Sequence, residues 1–293
     1  MALIYNATFD SQTRVLSLLD KAGNVISSCE VPSKELVDDP NKPLTFKATQ
    51  DGSTVRLSPG YHTPSGDFQT SRDGGNTWED YTLYTNITLN TGDEVSFRAK
   101  ADRSAQDPQN YFTFHMTGKI EAWHNVMSLY RTNDFATYNT VMQYAFSDLF
   151  RDCTSLTKAP ALPATTLASS CYDSMFMGCT SLQSAPELPA TTLAPYCYYT
   201  MFFGCTSLTR APELPATILA SYCYYRMFHD CSNLKEVRIA ATKTATEALK
   251  EWLYRVSATG DFYCDPNAKI FTTNSVSGIP NGWTRHALAD YPN

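Results

Sequence analysis

The chain has 293 residues, 43% of them hydrophobic and 13% aromatic, enough apolar material for two or three compact units. Its net charge of −6 is spread over scattered residues, and no Lys/Arg-rich stretch could neutralise a row of phosphates, so nucleic acid is not an expected partner. A mean hydropathy of −0.31, with no apolar run near the ~20 residues that a bilayer span requires, argues against membrane insertion.

The first segment, residues 1–40, reads as a β meander. Thr8-Phe9-Asp10, Val15 to Leu19 and Val25 to Val31 alternate in polarity, with an Asp20-Lys21-Ala22-Gly23-Asn24 turn before the last of them. No basic region opens the chain, and Asn6 and Asp10 interrupt any apolar stretch of signal-peptide length, so no secretory signal is expected. A meander this small cannot stand alone, and its open strand edges invite pairing with another chain. It is therefore expected to be an attachment module, docking through residues 1–38 on a partner or on copies of itself in a homo-trimer. Asp38-Asp39-Pro40-Asn41 reads as the linker that follows.

Residues 41–130 show a period of two. Leu44, Phe46 and Ala48 alternate with polar residues, as do Val55 and Leu57, then Val95, Phe97 and Ala99, then Phe112, Phe114 and Met116. Short alternating strands between Gly/Asp/Pro turns predict an antiparallel β-sandwich of Ig-like size. Within it, Ser71-Arg72-Asp73-Gly74-Gly75-Asn76-Thr77-Trp78 resembles the Asp-box of sialidases over its whole Ser-x-Asp-x-Gly-x-Thr-Trp spacing. That resemblance implies a structural turn, in which Asp73 ties down turn amides and Trp78 packs beneath. Sialidase chemistry would need several blades, for which one small sandwich has no room.

From residue 131 to 243 the sequence copies itself at a fixed period, the interval that separates Phe150 from Phe176. Phe150, Phe176, Phe202 and Phe228 are in register, as are Cys153, Cys179, Cys205 and Cys231, with further columns at Leu156, Leu182, Leu208 and Leu234, at Pro160, Pro186 and Pro212, and at Cys171, Cys197 and Cys223. Leu167, Cys171, Met175 and Cys179 fall four apart, which predicts a short helix with one buried face. Leu182 to Pro189 is too rich in proline for a helix and predicts a very short extended segment. One strand and one helix per copy bury their apolar faces only by stacking, which predicts a right-handed solenoid with parallel strands on one side and helices on the other. Residues 244–293 supply its cap, with Leu249, Trp252 and Leu253 on a degenerate helix and Phe262, Phe271 and the Gly278-to-Trp283 segment covering the last copy.

These columns resemble the BspA-like leucine-rich repeats of Bacteroidetes surface and phage proteins. The resemblance runs over residues 140–290, through Ala145-Phe146, Cys153 and Leu156 and through Cys171-Tyr172, Met175-Phe176, Cys179 and Leu182, with a longer repeat than usual and the added prolines. Gly278-Ile279-Pro280-Asn281-Gly282-Trp283 resembles the closing segment of Bacteroidales proteins with these repeats, and residues 1–38 resemble the N-terminal attachment segments of phage virion proteins. The expected class is thus α+β and multi-domain: meander, antiparallel sandwich, leucine-rich-repeat solenoid and cap.

Candidate chemistry is sparse. His62, His115, His124, His229 and His286 show no metal-ligand spacing, the repeated cysteines occur where small buried groups are wanted, and neither a phosphate loop nor a nucleophile elbow appears. No catalytic residue, metal or cofactor is expected, and the nine cysteines are expected to be reduced. The candidate binding surface comes from the outward positions of the repeat. The first copy places Ser170, Asp173, Ser174 and Met177 there, an unremarkable surface, whereas the next places Tyr196, Tyr199, Thr200 and Phe203, and the third Tyr222, Tyr225, Arg226 and His229. Stacked side by side they predict an aromatic patch with a cation at its edge, able to contact a host surface glycan or protein. Two other roles stay open for these rings, packing on the sandwich or on another subunit. The resemblance implies a non-enzymatic virion fibre or decoration protein of a phage, with a bacterial cell-surface adhesin as the alternative and a glycan-processing enzyme as a distant third.

Overall fold

The structure, a computed structural model, describes residues 6–10, 15–19, 22, 25–30, 38–59, 68–103, 112–273, 275 and 277–291. The chain divides into two compact units, 1–37 and 38–293. In the first, strands β1 (Asn6–Asp10), β2 (Val15–Leu19) and β3 (Val25–Glu30) pair antiparallel in chain order. Val31, and the turn at 20–24 apart from Ala22, lie outside the described residues.

The second unit opens with strands β4 (Thr45–Ala48), β5 (Ser53–Pro59), β6 (Phe68–Ser71), β7 (Glu79–Tyr81), β8 (Ile87–Leu89), β9 (Glu94–Ala99), β10 (Phe112–Thr117) and β11 (Ile120–Trp123). One sheet has the order β10-β5-β8; the other runs β11-β4-β9-β6-β7 and is extended at its β11 edge by a parallel strand, β12 (Leu156–Lys158). The alternating apolar residues all face inward: Leu44, Phe46, Ala48, Val55, Leu57, Val95, Phe97, Ala99, Phe112, Phe114 and Met116 are buried. Phe46 packs edge-on against Phe97 and Phe114 at 5.6 and 4.7 Å, which joins the two sheets through one core.

The rest of the expected architecture is corrected. Among the described residues there is no α-helix, only two short 3-10 helices, Val126–Leu129 and Leu288–Asp290. The class is almost all β with small sheets rather than α+β, and no right-handed leucine-rich-repeat solenoid of strands and helices is formed. The residues expected on a helix in each copy, and those expected on a degenerate helix around Trp252, instead form a ribbon of tight turns. Every fourth residue is left-handed: Ser170 (φ 56), Ser174 (55) and Gly178 (75), then Tyr196 (60), Thr200 (47) and Gly204 (73), and again Glu247, Glu251 and Arg255. Backbone donors alternate in use. The N–H groups of Tyr172, Ser174, Phe176 and Gly178 reach across to the carbonyls of Cys197, Tyr199, Met201 and Phe203 at 3.0, 2.8, 2.9 and 2.8 Å. Those of Asp173, Met175, Met177 and Cys179 turn back to Ser170, Tyr172, Ser174 and Phe176, three residues earlier.

The physical reason lies in the spacing. Residues strictly four apart rotate about 40° per step round an α-helix, so Leu167 and Cys179 would end about 120° apart. A ribbon of four-residue turns keeps them on one side without drift, and hydrogen bonds to the next copy offset the cost of the left-handed residues. Phe150, Phe176, Phe202 and Phe228 then stack nearly parallel, 5.4, 5.5 and 5.6 Å apart, and Tyr172 stacks on Tyr198 at 5.7 Å. The column begins on the two-sheet core, where Phe114 stacks on Phe150 at 5.5 Å. It ends under buried Trp252, 6.3 Å from Phe228, followed by the parallel strands β13 (Glu236–Arg238), β14 (Gly260–Cys264) and β15 (Trp283–Ala287). The proline-bearing segments pair mostly through single bridges, such as Lys158 with Ser184 and Arg210 with Glu236.

Candidate functional site

The turn ribbon has an inner and an outer side. Cys171, Tyr172, Met175, Phe176 and Cys179 point into the core, whereas Asp173 and Met177 are half-buried on the outside. In the Phe202 copy the outer positions carry Tyr199 and Phe203, and in the Phe228 copy Tyr225 and His229. The left-handed positions add Tyr196 and Tyr222. Because the copies are in register, these rings pair across them: Tyr196 on Tyr222 at 4.7 Å, Tyr199 on Tyr225 at 4.8 Å and Phe203 on His229 at 4.5 Å, with ring planes 3°, 5° and 9° apart. Tyr196 and Tyr199 approach within one copy at 5.8 Å, as Tyr222 and Tyr225 do at 5.9 Å, so the columns join into one face.

All seven residues expected at the patch are thus brought together, although not equally exposed. Tyr196 is 37% exposed, while Tyr199, Phe203, Tyr222, Tyr225 and Arg226 are half-buried and His229 is buried beneath Phe203 and Tyr254. Arg226 is not a free cation at the rim. Its guanidinium donates to Glu251 Oε2 at 2.7 Å, which pushes its pKa above the usual arginine value. Burial, then the neighbouring Tyr225 and Asp173, pushes the Tyr199 phenol upward. Asp173, one copy before Tyr199, accepts from Ser174 Oγ at 2.7 Å, and burial raises its pKa to about 6.

Tyr144 was not among the expected residues. It lies one repeat period before Ser170, is 38% exposed and shares the left-handed conformation (φ 57) of Ser170, Tyr196 and Tyr222. Subtracting one more period from the repeat would have found it. Tyr254 was also missed, because the last copy is shorter than the others. Tyr196 N–H donates to Ser221 O, and the position one full period after Ser221 is Glu247, yet Tyr222 N–H donates to Thr246 O instead.

Asp73 and Trp78 form a closed turn. Asp73 Oδ1 accepts from Ser71 Oγ and from the amides of Asn76 and Thr77 at 2.7, 3.0 and 2.9 Å, and Oδ2 from Thr77 Oγ1 at 2.6 Å. These donors hold its carboxyl well below the usual carboxylate range. Trp78 Nε1 donates to Gly75 O at 2.9 Å, and the Arg98 guanidinium lies 4.1 Å above its ring.

Two concavities lie along the proline columns. One, of about 600 Å³, is lined by residues 183–189 and 210–213, Pro215 and Tyr291; the other, of about 470 Å³, by Asp38, residues 158–163 and 184–187, and Pro189. At their rims Arg210 pairs with Glu236, Glu213 with Arg238 and Lys158 with Asp38, while the exposed Glu187 lines both. Among the described residues, no group of three His, Cys, Asp or Glu side chains could hold a metal ion, and no helix is long and apolar enough to cross a membrane. No protein-family model, no curated protein and no solved structure matches this chain.

Proposed function

We propose that the chain is a non-enzymatic binding protein that presents its outward ring columns to a glycan or protein on a host cell surface. The observation that carries this reading is the continuous face of Tyr196, Tyr199, Phe203, Tyr222 and Tyr225, held in register by the ladder beneath. Fixed tyrosines offer apolar area and a hydroxyl with little rotamer freedom left to lose, which makes them frequent anchors of recognition surfaces. The carrier in this reading is a phage virion, in which the unit of residues 1–37 is the attachment module and pairs with copies of itself or another virion protein. The virion assignment rests on the sequence resemblance alone; the antiparallel β1-β2-β3 sheet supports self-pairing through its two edges.

Binding of the fluorescently labelled chain to intact Bacteroidetes cells tests the surface. The triple variant Tyr199→Ser, Phe203→Ser, Tyr225→Ser should fold, since Ser147 and Asp173 occupy comparable outer positions, and should lose cell binding. A folded triple variant that binds as the parent does removes the site. Light scattering of the full chain and of residues 38–293 tests attachment: a trimer that becomes a monomer on truncation is expected, and two monomers would rule out self-assembly through this unit.

A further inference from the structure

The proline-bearing side of the repeat is hydrogen-bonded at its far end and open in its middle. Where the Phe202 copy meets β13, Ala211 and Leu214 N–H donate to Glu236 O and Arg238 O at 2.9 and 3.1 Å. One period earlier the matching donors are Ala185 and Leu188, and the matching acceptors are Arg210 O and Pro212 O. Among the described residues neither bond is formed, and no bridge joins 183–189 to 209–215. The junction before it keeps a single bridge, Lys158 with Ser184. The accepting segment explains the difference. β13 has no proline, whereas Pro186 and Pro212 stand in the accepting segments of the two earlier junctions. A proline fixes its own φ near −65° and pushes the residue before it toward polyproline geometry, which takes the neighbouring carbonyls out of a ladder.

Both concavities lie at these two junctions. The larger, about 600 Å³ and of the size of a ligand cleft, is lined by Ala185 and Leu188, which hold the unused donors, and by Arg210 and Pro212, which hold the unused acceptors. The smaller lies on the other side of the same segment, against residues 158–163. Arg210, Glu213 and Lys158 already have ionic partners in Glu236, Arg238 and Asp38. Glu187 is exposed, lines both concavities and makes no ion pair among the described residues.

A guest that completes the open junction must accept from two backbone N–H groups and donate to two carbonyls. An extended peptide does both, and the donors along one of its edges recur every second residue, about 6.7 Å apart, matching carbonyls two residues apart at 210 and 212. The lining adds a second requirement. Prolines, alanines and Leu188 offer apolar contact, and Glu187 leaves one negative charge uncompensated, which suits an aliphatic stem with a cationic end.

We propose that the open junction between 183–189 and 209–215 is a docking groove for an extended, lysine- or arginine-bearing peptide of a partner protein, which supplies the missing backbone hydrogen bonds and sets a basic side chain against Glu187. The groove shares no residue with the ring columns.

Amide-resolved NMR on the ¹⁵N-labelled full chain tests it, with acetyl-Val-Lys-Val-Lys-Val-amide, its glutamate counterpart acetyl-Val-Glu-Val-Glu-Val-amide and spermidine as probes. In the free chain, Ala185 and Leu188 N–H should exchange with solvent faster than Ala211 and Leu214; equal protection would mean a closed junction and overturns the proposal. Millimolar lysine peptide should shift the Ala185 and Leu188 resonances and slow their exchange, and absence of both effects overturns it. The glutamate peptide should bind more weakly by about threefold or more, the scale of one exposed ion pair. Glu187→Lys, a change at an exposed side chain, should invert that preference. Lysine peptide methylated at the backbone nitrogens of both lysines should lose binding, because the donors to Arg210 O and Pro212 O go with them. Equal binding of the two peptides, or an unchanged preference in Glu187→Lys, removes Glu187 from the site and overturns the basic-peptide assignment. Undiminished binding of the methylated peptide, or spermidine shifting the same amides as strongly, would mean a site for amines alone and overturns the strand pairing.

Discussion

Gly204 stands directly over Gly178, close enough that a Cβ built on Gly204 would lie 4.0 Å from the Gly178 Cα, and both residues are left-handed, with φ of 73° and 75°. The same ribbon position is held by Asp152 and Asp230 in the flanking copies, in the same conformation. The two glycines therefore mark the fourth-residue turn that separates this fold from the helix its apolar spacing suggests.

Gly204→Ala discriminates between the two backbones by sign. In a helix interior the change would stabilise by about 1 kcal/mol. Here the left-handed conformation penalises a Cβ, and the space around it is open, so the backbone alone sets the cost; destabilisation of about 1 kcal/mol is expected in urea titration. An increase in stability would show that a helix forms at this position.

The Asp73 turn should respond to acid. Its carboxyl is held below the ordinary value of 3.8 by Thr77 first and then by Ser71 and Asn76. A depressed folded pKa means that the contribution to stability is fully present above the ordinary carboxylate range and is lost as pH falls below it. Asp73→Ala should thus lower the melting temperature at pH 7 and narrow its gap to the parent as the pH is brought down through 4 toward 2. Cell binding should be unaffected, since the turn lies in the β6–β7 connection rather than on the ring columns.

Much of this arrangement can be read from the sequence. The period, the columns and the inward set of each strand follow from apolar spacing alone, and so does the gathering of Tyr196, Tyr199, Tyr222 and Tyr225 on one face, because stacking copies in register brings equal positions together whatever the local backbone. The local backbone is another matter. Four-apart spacing suits a helix over one or two turns, and only its lack of drift from Leu167 through Cys179 favours a four-residue ribbon. Left-handed residues are hidden further because Tyr196, Thr200, Tyr222 and Arg226 occupy positions where glycine would have announced the turn. Asp173 looked unremarkable for a related reason: its burial depends on what the neighbouring copies carry.

The cysteines give an independent check on the stacking. Cys179, Cys205 and Cys231 each donate to the carbonyl of a phenylalanine in the preceding copy, Phe150, Phe176 and Phe202, at 3.0, 3.1 and 3.0 Å. The eight cysteines whose side chains are described are free and buried, and burial pushes their thiols upward, with Cys223 at about 12. A thiol reagent at pH 8 should leave these eight unmodified in the native chain and react with them after denaturation without reductant. Fewer reactive thiols after denaturation would mean disulfides and would contradict the stacked-thiol columns.

The claim that the outward ring columns are the binding surface is tested most directly by footprinting the tyrosines on protein bound to cells. Tyrosine nitration, read residue by residue by mass spectrometry on free and cell-bound chain, has its internal control in Tyr84, which is 62% exposed in the connection between β7 and β8, whereas Tyr196 is 37% exposed on the columns. The account predicts that binding protects Tyr196, Tyr199, Tyr222 and Tyr225 and leaves Tyr84 as reactive as in the free protein. Protection of Tyr84 with the columns still fully reactive would contradict it.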